Sequence, residues 1–149
     1  MSNAKLDRRI IEIAAGRAPA ERTPTTLQDP DVPESLGAWL ATELRRFQPR
    51  TVVLWADIAT AVLGHVVARE LGAQVIYAFA DEGVLTLDGT MNAGERVALI
   101  GYDWPARLGL DPLVRLVHNS GAVVAAVGSV LAAQHEEVPV VVLDPGVSR

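Results

Sequence analysis

From Thr51 onward the chain alternates short, β-branched apolar runs with segments whose apolar residues recur at helical spacing, and few folds accept that order. Thr51 to Trp55, Gln74 to Phe79, Arg96 to Gly101, Ala122 to Leu131 and Val138 to Leu143 read as strands. Ile58 to Leu71, stopped by Gly72, and Asp111 to Asn119, ended by Ser120-Gly121, read as helices. Asp81 to Asn92 reads as either a hairpin-like or a loose excursion, with Val84 to Leu87 as a candidate small strand before Asp88-Gly89. Strands joined through helices lie parallel, and their right-handed crossovers place helices on both faces of the sheet. The expected class is therefore α/β: a Rossmann-like parallel sheet of about five strands with flanking helices.

The part before Thr51 is less regular. Ala4 to Ala15 carries Leu6, Ile10, Ile11 and Ala14 at helical spacing and predicts a short amphipathic helix. Gly16 to Pro33 holds four of the nine prolines and reads as a loop. A second helix is expected from about Glu34 to Phe47, with Leu36, Trp39, Leu40, Leu44 and Phe47 on one face and Gln48-Pro49 ending it. The organisation expected is thus a helix and Pro-rich loop over 1–33 and an α/β domain over 34–149.

Composition narrows the function classes. A net charge of −5 and a pI near 5.1 argue against a nucleic-acid or anionic-membrane surface, which needs a basic face. No apolar run approaches the roughly 20 residues of a membrane span. The absence of cysteine removes disulfides, thiolate metal sites and a thiol nucleophile, and agrees with a cytoplasmic address. Lys5 is the only lysine. Of the three histidines, His65 lies within a helix, His118 near a helix end and His135 in a polar loop with Glu136 and Glu137. None has a partner at metal-ligand spacing, so no metal site is expected. Gly-x-Gly-x-x-Gly, P-loop and Gly-x-Ser-x-Gly motifs are absent.

In an open α/β sheet ligands bind beyond the carboxyl ends of the strands, where the strand order reverses. The two loops expected there are Trp55 to Thr60 and Gly101 to Gly109. They carry the ligand-binding candidates Trp55, Asp57, Thr60, Tyr102, Asp103, Trp104 and Arg107. Aromatic walls with a few polar groups suit a base-like or small organic ligand. The competing reading is packing: the tryptophans fill the space and Arg107 pairs with Asp103 or Asp57.

The run Val52 to Tyr77, with its closing phrase Ala68-Arg69-Glu70-Leu71-Gly72, resembles the first βαβ unit of type I phosphoribosyltransferases, particularly the orotate type. Asn92 to Ile100 is similar to that family's lead into its diphosphate-sugar motif. The resemblance covers roughly Glu34 to Leu143 and implies a phosphoribosyltransferase-like fold and a homodimer; Leu36, Trp39 and Leu40, with the helix Ala4 to Ala15, could add a face to it or equally pack on the chain's own sheet. The family's functional positions do not carry over. Its acidic pair falls on Gly101 and Tyr102, its hydroxyl-rich phosphate loop on Ala106 to Gly109, and its pyrophosphate-loop glycines on Ala59 and Thr60. The basic pair expected after the second strand falls on Phe79 and Ala80, and Asp81 to Asn92 has no basic residue.

Helix starts point the same way. A helix N-terminus holds phosphate through free N–H groups and its dipole. Asp57 stands before the helix at Ile58 and Asp111 before a helix opening at Pro112, so both starts are expected to be capped by a carboxylate. Three readings follow. The first is a phosphoribosyltransferase-fold protein that has lost catalysis and acts as a small-ligand-binding or regulatory module, with no cofactor and a small molecule as candidate partner. The second is a divergent active transferase using Asp103 and Arg107 with Mg²⁺. The third is a structural dimer partner.

Overall fold

The computed structural model describes residues 29–104 and 109–143. The expected helix Ala4 to Ala15, most of the Pro-rich loop, and Arg107 lie outside the described residues. The elements are α1 (Asp31–Leu44) with a 3₁₀ turn Arg45–Phe47, β1 (Thr51–Trp55), α2 (Ile58–Leu71), β2 (Gln74–Asp81), β3 (Val84–Leu87), β4 (Arg96–Gly101), α3 (Leu110–Asn119), β5 (Val123–Ser129) and β6 (Val140–Val142). Six strands form one sheet in the order β3-β2-β1-β4-β5-β6. All neighbours are parallel except β2 and β3.

That antiparallel edge is the excursion after Asp81. Glu82 and Gly83 both take positive φ, 50° and 81°, which matches the twist of a two-residue hairpin. Asp88 then continues the pairing, its carboxylate and its own N–H both engaging the Tyr77 backbone.

β1 and β4 are central, and parallel strands at the centre of a sheet are covered on both faces. On one face α1 and α2 place Leu36, Leu40, Leu44, Leu63 and Val67 over Val52, Leu54, Ala98 and Ile100. On the other, α3 places Leu110, Leu113, Val114 and Val117 over Val53, Val97 and Leu99. The face considered for a dimer is therefore used at home: Leu36 and Leu40 are fully buried, and Trp39 packs partly against the same core. β4 and β5 slip register once. Val97 pairs with Val124 and Ala98 with Ala126, so Ala125 has no partner opposite it.

Two helix boundaries have clear local causes. α2 opens on Asp57 and closes on Gly72 in the left-handed conformation, whose N–H meets the carbonyls of Ala68 and Arg69. The Ala-Arg-Glu-Leu-Gly phrase is thus a helix ending, with Arg69 also bridging to Glu34 of α1 at 2.9 Å. α1 opens at Asp31, earlier than the expected Glu34. Pro33 falls in its first turn, where the missing N–H would have no partner within the helix. Among the described residues no helix is long and apolar enough to cross a membrane.

The amino ends of β1, β2 and β4 are joined by one carboxylate. Thr51 donates its hydroxyl to Glu95 Oε2, Gln74 Nε2 donates to the same oxygen at 3.3 Å, and the Asn92 N–H donates to Oε1 at 3.1 Å. The Thr51 hydrogen bond, with those of Asn92 and Gln74 and the nearby charge of Arg50, holds the Glu95 carboxyl below the ordinary glutamate value, against a smaller opposing effect of burial. A depressed folded pKa means stability that is complete above the ordinary carboxylate range and is lost as pH falls through the folded value. Urea denaturation from pH 7 to pH 3 should show Glu95→Gln less stable than wild type at neutral pH. The gap should close on the acid side; a constant gap would contradict this role.

Candidate functional site

β1 is followed by a crossover to β2 on one side, and β4 by a crossover to β5 on the other. The order therefore reverses between β1 and β4, and the crevice for ligands in such sheets opens there. A cavity of about 80 Å³ lies at this point, lined by Trp55, Asp57, Thr60, Ile100, Gly101, Asp103 and Trp104. The fold thus brings together Trp55, Asp57, Thr60, Asp103 and Trp104 from the expected set. Tyr102 does not join them; its ring packs against the core on the α1 side, as alternation along an extended chain requires.

Each wall has its own anchor. Trp55 is the last residue of β1 and 7% exposed, and its indole N–H donates to the Gly109 carbonyl at 3.2 Å. Gly109 is the N-cap of α3, so this bond staples the end of β1 to the start of the helix that follows β4. Asp57 is extended, and its Oδ1 accepts the Thr60 N–H at 2.9 Å. The first turn of α2 therefore already holds an anion of its own, as expected from sequence.

The β4 side is held differently. The ladder to β5 runs on past the strand, with Val130 N–H donating to the Gly101 carbonyl at 3.2 Å and Leu131 N–H to that of Tyr102 at 2.9 Å. Beyond Tyr102 the hydrogen bonding turns local: Asp103 Oδ1 accepts the Trp104 N–H at 2.8 Å. The Trp104 indole lies on the Gly101 backbone, so close that a Cβ at position 101 would sit 2.8 Å from Cζ2. Its Nε1 is buried and finds no hydrogen-bond acceptor among the described residues. A donor stranded in this way costs about 1–3 kcal/mol.

The start of α3 departs from expectation. Asp111 is not its cap: the helix opens at Leu110 after an extended Gly109, and no side chain caps it. Asp111 instead faces His135, with Oδ1 3.3 Å from Nε2. The Nδ1 of His135 accepts the N–H groups of Glu137 and Val138 at 3.1 and 3.2 Å, so the same ring also closes its own loop. His135 thus pins the loop between β5 and β6 to α3 rather than sitting in solvent; its side chain is 12% exposed. An open groove beside it is lined by Asp111, Arg115, His118, His135, Glu136 and Glu137. Among the described residues no group of three or more His, Asp or Glu could hold a metal ion. Ser129 is buried and donates its hydroxyl to the Leu131 carbonyl, a structural use.

No protein-family model and no curated protein matches this chain. Solved structures do. Adenine phosphoribosyl transferase from Trypanosoma brucei, in complex with AMP, pyrophosphate and ribose-5-phosphate, aligns with a TM-score of 0.64 at 17% identity over 78% of this chain. The chain spans 65% of that enzyme's length. Adenine phosphoribosyltransferase from Saccharomyces cerevisiae gives a TM-score of 0.67 at 12% identity, covering 82% of this chain and 84% of the yeast one.

The fold is that of the type I phosphoribosyltransferases. A hypothetical protein from Neisseria gonorrhoeae with bound ppGpp shares it, with a TM-score of 0.58 at 10% identity over 75% of this chain and 77% of that one. Identities this low carry the fold and nothing finer, and the neighbours give no support to the orotate subtype over an adenine or purine one. Within this phosphoribosyltransferase fold the cavity wall holds two carboxylates, Asp57 and Asp103, and no basic side chain among the described residues.

Trp55→Phe tests the staple. It removes the donor and leaves the Gly109 carbonyl short of a partner, so stability to urea should fall by about 1–3 kcal/mol. Amide exchange should quicken at Leu113 and Val114, in the turn that follows Gly109. Unchanged exchange there would mean that α3 is positioned by its apolar face alone.

Proposed function

We propose that this is a phosphoribosyltransferase-fold protein that does not transfer phosphoribosyl groups and acts as a small-ligand-binding or regulatory module. The observation that carries the reading is the crevice at the strand-order reversal. It measures about 80 Å³, with Trp55 and Trp104 in its lining, against the roughly 300–1,000 Å³ of ordinary ligand pockets. Its charge supports the same view. A phosphoribosyl donor brings several negative charges that a catalyst must stabilise with cations or free N–H groups. Here Asp57 occupies the helix start and Asp103 flanks the mouth.

A nucleotide-responsive regulator is the second reading, favoured by the fold's occurrence in the Neisseria gonorrhoeae protein with bound ppGpp. The divergent-transferase reading would use Asp103 and Arg107 with Mg²⁺. One set of measurements separates all three. With phosphoribosyl diphosphate, Mg²⁺ and each of adenine, guanine, hypoxanthine and orotate, no pyrophosphate should be released and calorimetry should detect no binding of the diphosphate. Micromolar binding with base-dependent pyrophosphate release would overturn the proposal. Saturable binding of ppGpp or AMP without turnover would favour the nucleotide-responsive regulator.

A further inference from the structure

The indole of Trp104 combines three properties seldom found together in a packed side chain. It lies on bare backbone, Gly101, with no side chain between. Its N–H is buried without an acceptor among the described residues. It also stands just past the last ladder bond, since backbone pairing between the β4 and β5 ends stops at Tyr102 and Leu131. Trp55, on the opposite wall, differs on each count: it belongs to a strand, is 7% exposed and has its N–H bonded to Gly109. Trp55 is fixed in the wall; Trp104 rests on a platform that does not satisfy it.

We infer that Trp104 is a built-in occupant of a ligand site whose ligand is a flat, donor-rich heterocycle, neutral or cationic, which displaces the indole and stacks on Gly101. This rests on the reading of the protein as a small-ligand-binding module and names the class of ligand. Gly101 presents a surface that a planar ring can approach to contact distance, as the indole does. The polar and aromatic residues that line the cavity with it are Trp55, Thr60 and two carboxylate-bearing residues, Asp57 and Asp103. Carboxylates accept hydrogen bonds and repel anions, so a ring bearing N–H donors is favoured and a phosphate is not. Asp103 already accepts the Trp104 backbone N–H, and moving that residue releases its oxygen for the ligand. The small cavity is what remains with the occupant in place; its departure adds the volume of an indole.

Competition between ligand and indole gives a signature that plain packing does not. A binding-competent state that is only fractionally populated weakens apparent affinity by that fraction, and removing the competitor restores it. The probe is 2-aminobenzimidazole, a flat ring with several N–H donors, with AMP as the anionic control, titrated into the ¹⁵N-labelled full chain. In wild type the indole N–H signal of Trp104 should shift saturably with the probe and by more than that of Trp55, whose N–H stays bonded to Gly109. Trp104→Ala should bind the probe about tenfold more tightly. Gly101→Ala should lose binding, because the new methyl occupies the platform. Trp104→Phe, expected to fold if the alanine variant does not, should bind more tightly than wild type.

No saturable shift in wild type, or weaker binding on Trp104→Ala or Trp104→Phe, overturns the inference. AMP binding at the Trp104 signal in preference to the probe overturns the assigned ligand class. The pyrophosphate assay keeps the two proposals apart. Absent probe binding with absent pyrophosphate release sinks only this inference, whereas pyrophosphate release sinks the non-catalytic reading whatever the probe does.

Discussion

A parallel strand covered on both faces can place polar side chains only at its ends, and that constraint arranges everything else here. β1 is buried along its whole length and β4 from Val97 onward, so their polar chemistry collects at two rims. At the amino rim, Thr51, Gln74 and Glu95 bind one another and leave little to offer a ligand. At the carboxyl rim, Asp57 and Asp103 border a crevice that the sheet's own topology opens. The first rim fixes the relative heights of three strands. The second inherits that alignment, and the Trp55–Gly109 bond extends it into α3.

Much of this was legible because its causes are local. Periodicity marked the strands, Asp57 announced the start of α2 and Gly72 its end, and each signal depends on a few neighbouring residues. The convergence of Trp55, Asp57, Thr60, Asp103 and Trp104 was also accessible, since it needs only the rule that parallel strands deliver their loops to one rim. Tyr102 shares that loop, but alternation along an extended chain turns its ring to the α1-side core. Asp111 misled for a different reason. Asp followed by Pro has the form of a cap and a first helical residue, but the helix opens from Gly109 and the carboxylate is claimed by His135, from a loop far along the chain. No local rule reports such a partner.

The two crevice tryptophans show how one residue type serves two ends. Sequence composition treats them alike, and packing was the natural alternative for both. The structure separates them by hydrogen bonding: the Trp55 N–H is bonded to Gly109, whereas the Trp104 N–H finds no acceptor among the described residues and its indole is held there by contact. Shape alone would have missed the difference, since both rings line the same small cavity.

The unpaired Ala125 gives β5 a phase change. Below it Val124 faces the α3 side, and above it Ala126 faces the α1 side, although two residues apart on an unbroken strand they would share a face. The strand is in effect two half-strands in series. The lower is bound to the Glu95 turn through the Val123 N–H, and the upper carries the ladder that ends at Tyr102. A one-residue deletion in β5 would keep each side chain on its present face only at Ala125. Placing it elsewhere would exchange the two cores for every residue between.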